Sequence, residues 1–580
     1  MVTLAAAAGL RGEGPIALPP RGDRWNEVRT ANFTLFGNAS ESKTREVGLE
    51  MEKLHAVLRT LKGGSVVNSP IPTFLYVFKS HSAMEPYLPR GDDASSYFYG
   101  AHDGNYVELT AAWNSDPRRT VYHNYIYYFM DTNFAHQPVW YEQGVAAYYS
   151  TFRTDGNEVR IGMIREDLLE PLRGTMMMIS LDRLLAADRE SPEYNEEIKR
   201  TTFFAESWAL VHYLILGNLE RTPQLGRFLA LLREGKPQDE AFREAFHTDY
   251  ATLLGELVAY VRNRRFTYNR LKFSELTIPT ETRTTPMSYA SVLCRLGDLL
   301  ANWDDRLPDA ERYFEAALAT EGANAEALGG LGRVRLRQKR QSEAAELFGK
   351  AVASDKADYR AYFYYAQLKL EELSKAWSWP VTDDERTGIE AARAALRKSI
   401  ALNPDFPEAR VELGRSYFME QPDHLDEGIA ELTIAAKLLP SRPDVARDLA
   451  SLSGRKKEHS DAAQAAASSV PAARGKAGAP QDPLAGVNAL LARGKESEAV
   501  AELERLVESS KFETREVYEE ELRKLRAMID YNKALRLYKK RDYRGALDAF
   551  EKIAAANPDL DIARAAVEKA QQLRPLVKKK

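Results

Sequence analysis

Four stretches in the second half of this 580-residue chain superimpose on one another: "LGDLL…DAERYFEAAL", "LGRVRL…EAAELFGKAV", "YAQLKL…AARAALRKSIALNPD" and "LGRSYF…GIAELTIAAKLLP". Each sets a small residue in a first apolar segment (Gly297, Gly332, Ala366, Gly414) and another at the head of a second (Ala310, Ala344, Ala392, Gly428). A bulky residue follows four positions later (Phe314, Phe348, Leu396, Leu432), and a small one three beyond that (Ala317, Ala351, Ser399, Ala435). Steps of three and four put these positions on one helical face. Small residues let paired helices approach, and the bulky one fills the groove between successive pairs. The pattern predicts stacked helical hairpins, each burying its apolar face only against its neighbours.

At a period of about 34 residues this is the tetratricopeptide pattern. Pro404 and Pro440 close second helices, and two insertions, "EELSKAWSWPVTDDERTG" and "EQPDHLDE", interrupt the spacing. Residues 453–483 are rich in Ala, Ser, Gly and Pro and read as a flexible linker. The pattern then returns, most regularly with Ala534, Ala546, Phe550 and Pro558, and "IARAAVEKAQQL" reads as a capping helix.

The first half alternates differently. "NFTLFGNAS", "TFLYVFKS", "YVELTA" and "NEVRIGM" read as strands. "SKTREVGLEMEKLHAVLRTL" reads as a helix capped by Ser40 or Ser42. Apolar periodicity predicts further helices near 120–131, 137–151, 201–217, 223–234 and 249–265. A sheet followed by a helical lobe is an α+β arrangement. The expected organisation is a terminal segment at 1–23, an α+β domain at 24–266, a linker at 267–286, repeats at 287–452, the flexible linker at 453–483 and further repeat-like helices at 484–580.

Net charge is −4, which gives no general attraction to nucleic acid or an anionic membrane. No run of about 18 apolar residues predicts a membrane span. Cys294 stands alone, so no disulfide framework is expected, and its apolar setting predicts a buried thiol. "MVTLAAAAGLRGEG" resembles the tail of a signal peptide without its basic region. That points to a periplasmic or extracellular bacterial protein, with a disordered cytoplasmic terminus as the alternative.

One stretch carries a chemical question: "TVYHNYIYYFMDTNFAHQPVWYEQGVAAYYS". A helical H-E-x-x-H motif puts two His on one face around a zinc ion, with Glu as general base. In peptidase-MA-type gluzincins fused to tetratricopeptide repeats, the following helix reads W-L-x-E-G-x-A-E-Y. Here "VWYEQGVAAYY" keeps Trp140, Gly144, Ala146 and Tyr148 in frame. Residues 24–265 thus resemble a gluzincin domain in the order and spacing of their motifs. The resemblance implies an α+β gluzincin-like fold ahead of an all-α tetratricopeptide solenoid. It also implies roles by position. His123 matches the first ligand, Asn124 the general base, Tyr127 the second ligand, Gln143 the third ligand, and Ala147 a further Glu of that helix.

Zinc catalysis needs three protein ligands and an open position. His123 supplies one, Gln143 is neutral, Asn124 cannot take a proton from water, and Tyr127 must ionise from a pKa near 10. Glu142 points about 100° away from Gln143 around the helix. His136, in the intervening loop, is the other substitute ligand considered. The expectation is a pseudo-peptidase with no catalytic residue, no metal and no cofactor, working as a protein-interaction scaffold. The alternatives are an active zinc peptidase with unusual ligands and a structural subunit of an envelope assembly. Partners are expected to be proteins or peptides in the repeat groove, or copies of the chain itself. Arg333, Arg337, Arg360, Arg410, Arg415 and Tyr362 are the candidate groove contacts. A solvated helix face is the competing reading for the arginines, and core packing for the aromatic set Tyr359, Tyr362, Phe363, Tyr364 and Tyr365.

Overall fold

A computed structural model of the chain describes residues 15–61, 71–89, 94, 96–111, 115–134, 137–173, 178–263, 265–354, 356–376, 382–419, 425–440, 442–468, 484, 487, 490, 495–510, 512–540, 542–558 and 560–577. The signal-like stretch at 1–14 and His136 lie outside these residues. The chain divides into two compact units, one of residues 1–368 and 392–459, the other of 369–391 and 460–580.

The first unit opens with β1 (Asn26–Arg29), β2 (Phe33–Gly37), α1 (Glu41–Thr60), β3 (Thr73–Phe78), α2 (His81–Met84), β4 (Ser96–Ala101), β5 (Gly104–Thr110), α3 (Ser115–Asn133), α4 (Val139–Tyr149), β6 (Arg153–Asp155) and β7 (Glu158–Ile161). The helical lobe α5 (Glu166–Arg173), α6 (Leu181–Ala186), α7 (Pro192–Asn195), α8 (Glu197–His212), α9 (Arg221–Arg233), α10 (Gln238–Phe246) and α11 (Tyr250–Arg262) follows. Ser40 caps α1, its Oγ accepting from the Lys43 N–H.

Next come β8 (Asn269–Lys272) and β9 (Arg283–Pro286), in the stretch 267–286 expected to be a linker. That expectation needs correcting. β9 is an outer strand of a mixed six-stranded sheet ordered β4-β5-β3-β2-β1-β9, antiparallel to β1 with Val28 opposite Thr284. β8 completes a small antiparallel sheet with β6 and β7. Both strands are four residues long and leave much of their side-chain surface in solvent, so they carry no apolar alternation to read.

The large sheet is buried on both faces, and strand alternation divides its side chains cleanly. Val28, Phe33, Leu35, Leu75, Val77, Val107 and Leu109 enter one core with α1, α3, α4 and α8. Trp25, Phe36, Tyr76, Phe78 and Tyr106 enter a second. That second core is shared with α12 (Tyr289–Leu300), α13 (Leu307–Thr320) and α14 (Ala325–Arg337), the first repeat helices, through Leu293, Leu296, Tyr313, Phe314 and Leu331. The N-terminal fold and the array therefore meet across a common core.

The array continues as α15 (Gln341–Val352), α16 (Tyr359–Ala376), α17 (Asp383–Leu402), α18 (Pro407–Ser416), α19 (Asp426–Leu438) and α20 (Pro443–Ser468). Phe314, Phe348, Leu396 and Leu432 are fully buried, as the pattern requires. A Cβ at Gly332 would come within 2.7 Å of Phe348, and one at Gly414 within 2.5 Å of Leu432. This is the close approach that the small residues permit. α20 also carries helix into the first half of the stretch 453–483 expected to be flexible; residues 469–483 lie outside the described set.

In the second unit, α21 (Glu496–Ser509), α22 (Phe512–Lys539), α23 (Tyr543–Ala556) and α24 (Asp561–Val577) pack around two cores. One contains Ala534, Ala546 and Phe550, the register residues of the last repeat.

The crossing of α4 and α8 positions the site described below. A Cβ on Gly144 would meet Ser207 O and Val211 Cγ2, each at 2.4 Å. Because one obstacle is backbone, Gly144→Ala must push the helices apart. Overpacking of this kind costs about 1–3 kcal/mol, and an unfolding free energy lower by that amount in urea denaturation is the expected result.

Candidate functional site

α3 and α4 bring most of the resemblance-assigned positions together. His123, Asn124, Gln143 and Ala147 line one cavity of 220 Å³, with Arg119, Thr120, Arg165, Leu168 and Phe204 completing the wall. His123 is hydrogen-bonded to Gln143. Burial, with the Arg165 guanidinium alongside, pulls the His123 imidazole down to about 4 against the opposing effect of that bond. The ring is neutral at physiological pH.

Tyr127 is not among the residues lining this cavity. Its ring sits 5.7 Å from the Arg189 guanidinium, and its hydroxyl bonds Glu142; burial pushes the phenol well above its usual range. Glu142 lines a separate cavity with Asp131, Asp188, Arg189 and Glu190. Burial lifts its carboxyl to about 7 despite Arg189, whose Nη2 donates to Glu142 Oε2 at 3.3 Å. Glu142 therefore does not stand in for Gln143.

The donor set beside His123 does not suit a divalent metal. One imidazole and two amides offer no charged ligand, and a guanidinium close enough to depress the imidazole repels a cation. Among the described residues no three His, Cys, Asp or Glu side chains gather into a set that could hold a metal ion.

Sequence reasoning missed two arginines of this cleft and one buried carboxylate on a helix that contributes to its wall. Arg165 lines both the His123 cavity and an adjoining one of 690 Å³, and Arg119 does the same. Glu206, on α8 beside the cavity-lining Phe204, is fully buried. The Ile179 N–H donates to its Oε2 at 2.8 Å, while its Oε1 has no hydrogen-bond partner among the described residues. Burial raises this carboxyl to about 8. No local signal marks either Arg165 or Glu206; the "RRT" doublet at the start of α3 was the one clue to Arg119.

The five candidate groove arginines are ties within the fold. Arg360 is buried; it donates to Asp298 at 3.0 Å, to Asp358 at 2.8 Å and to the Tyr106 hydroxyl of β5 at 3.0 Å. Arg333 is ion-paired with Asp298. Arg337 donates to Ala301 O at 2.6 Å and Asp304 at 2.8 Å. Arg410 holds Glu431, and Arg415 holds Asp444 and Asp448. Tyr362 is buried, as are Phe363 and Tyr364, in line with core packing.

The first helices of the array already grip part of the same chain. At the β4–β5 turn the Tyr364 hydroxyl bonds Asp103 Oδ2 at 3.0 Å and lies 2.9 Å from His102 Nε2, while the Tyr359 hydroxyl donates to Asp103 O at 2.6 Å. Trp303 meets Tyr97 and Tyr99 of β4 edge-on, with centroids 5.0 and 5.2 Å apart. A cavity of 500 Å³ remains between this hairpin and α12–α14, lined in part by His102, Asn302, Arg333 and Arg337.

Comparison with known proteins bears on the array. Residues 304–361 match the tetratricopeptide repeat family model. The chain is 34% identical over 148 residues to cellulose synthase operon protein C of Xanthomonas axonopodis pv. citri (strain 306), covering 25% of this chain and 9% of that protein's length. Among solved structures, YrrB, described as a TPR protein with an unusual peptide-binding site, shares 18% identity over 29% of this chain and 78% of its own, with a TM-score of 0.23. The MamA protein shares 20% identity over 30% of this chain and 86% of its own, with a TM-score of 0.24. Taken with the register of Gly332, Phe348 and Ala351, the family match establishes that the chain carries tetratricopeptide repeats.

Proposed function

We propose that this chain is a catalytically inert, gluzincin-like protein that works as a protein–protein interaction scaffold, through its repeats and through the cleft beside His123. The observation that carries the reading is the exchange of charge at the cleft floor. Where the resemblance calls for carboxylates around a cation, His123 faces an amide and a guanidinium. Such a floor can hydrogen-bond a peptide but cannot polarise water. Repeat arrays of this kind present extended surfaces suited to protein partners.

Purification of the full chain in zinc-supplemented buffer, followed by elemental analysis and a casein-hydrolysis assay, tests the inert half of this reading. Substoichiometric zinc and no chelator-sensitive hydrolysis are expected. One zinc per chain with hydrolysis that a chelator abolishes would overturn it.

A further inference from the structure

At the mouth of the His123 cleft two guanidiniums share one carboxylate. Arg165 donates through Nε to Asp167 Oδ1 at 2.9 Å and through Nη2 to Oδ2 at 2.6 Å, and its Nη1 donates to Ser150 Oγ at 3.1 Å. Arg119 Nη1 donates to the same Asp167 Oδ1 at 3.2 Å. Asp167 is half exposed, so solvent screens its hold on both, whereas the Arg165 side chain is only 14% exposed. Arg119 and Arg165 line the 220 Å³ and 690 Å³ cavities alike. Among the described residues around the larger one, Arg118, Arg119, Arg153 and Arg165 stand against Glu166 and Asp167. The carboxylate that pairs with Arg118, Glu50 at 2.9 Å, is not among those lining residues.

We propose that this cleft receives a carboxylate of a bound peptide between Arg119 and Arg165. The proposal rests on the scaffold reading and gives its cleft a ligand class. Guanidiniums recognise carboxylates through paired N–H donors. The inner cavity decides for a peptide over an inorganic anion. Past the guanidiniums lie the neutral His123, the amides of Asn124 and Gln143, and the apolar Leu168 and Phe204. Those groups match main-chain amides and an apolar side chain, and offer a phosphate little.

Fluorescence polarisation of the full chain against three pools of fluorescein-labelled short peptides tests this. One pool has free C-termini and no Asp or Glu; one is amidated and contains both; one is amidated and contains neither. The carboxylate-free pool is expected to bind at least about tenfold more weakly than one of the others, which also tells a C-terminal carboxylate from an acidic side chain. Arg119→Gln is expected to weaken the preferred pool by about tenfold. Asp167→Asn is expected to tighten it, because the internal competitor is gone, and a misfolded protein could not produce that gain. Equal binding of all three pools, or no response to either substitution, overturns the proposal and leaves the scaffold reading standing. Absence of binding to every pool removes both the proposal and the cleft's part in that reading.

Discussion

Arg360→Ala is expected to lower the unfolding free energy by about 3–5 kcal/mol, the usual result of removing one member of a buried ion pair. Arg360 is 1% exposed and holds Asp298, Asp358 and the Tyr106 hydroxyl at once, with the Phe74 ring 5.9 Å from its guanidinium. Burial alone would raise the Asp298 carboxyl. Arg333, Arg360 and Arg295 outweigh it and hold the group below its ordinary value. A carboxyl depressed in the folded state contributes stability that is present above its unfolded pKa and lost as pH falls through its folded one. The substitution should therefore cost most near neutrality and least in strong acid. Arg360→Lys is expected to recover only part of the loss, since an ammonium cannot serve three acceptors in the guanidinium plane. Urea denaturation of the three proteins at pH 7 and pH 3 reads this directly. An Arg360→Ala midpoint within error of the parent at pH 7 would show that the cluster does not tie sheet to array.

Glu206→Gln is expected to act in the opposite direction. The folded carboxyl is lifted from its ordinary 4.5 to about 8 by burial, partly offset by the Ile179 N–H. It is neutral in the folded protein across the range in which the unfolded chain ionises. The resulting cost is absent below about pH 4.5, grows as pH rises, and levels off above 8. That gap corresponds to on the order of 5 kcal/mol. An amide left without a partner for its N–H gives back about 1–3 of it. A net gain on the order of 2–4 kcal/mol at pH 8 follows, shrinking to nothing or reversing near pH 4.5. A gain that does not change with pH would mean that Glu206 is already ionised in the fold.

The repeats were the most legible part of the sequence because their constraint is local and recurrent. Each small position faces a bulky one across a single hairpin, so Gly332 and Phe348 announce each other from 16 residues apart. Strands β2, β3 and β5 were legible for a similar reason, since their side chains alternate between two cores. β8 and β9 were not, having few buried side chains to mark them. The internal partners of the arginines could not be read from sequence. Arg333 and Arg360 both meet Asp298, 35 and 62 residues upstream, and nothing in "LGRVRL" or "DYRAYF" distinguishes an internal tie from an exposed contact. At the cleft, the spacing of His123, Asn124 and Gln143 carried through to one cavity. Tyr127 did not: its bond to Glu142 and its place beside Arg189 draw it away. Arg165 comes from beyond the β6–β7 hairpin, which motif spacing does not reach.

The sheet lying between two cores has a consequence for how such a chain can be divided or extended. Trp25, Phe36, Tyr76, Phe78 and Tyr106 have α12–α14 as their cover, so a fragment ending near residue 286 would open an aromatic surface to water, and an array starting there would lose its first stacking partner. Each piece is expected to be less soluble and less stable than the whole chain, which urea denaturation of the separate fragments would read.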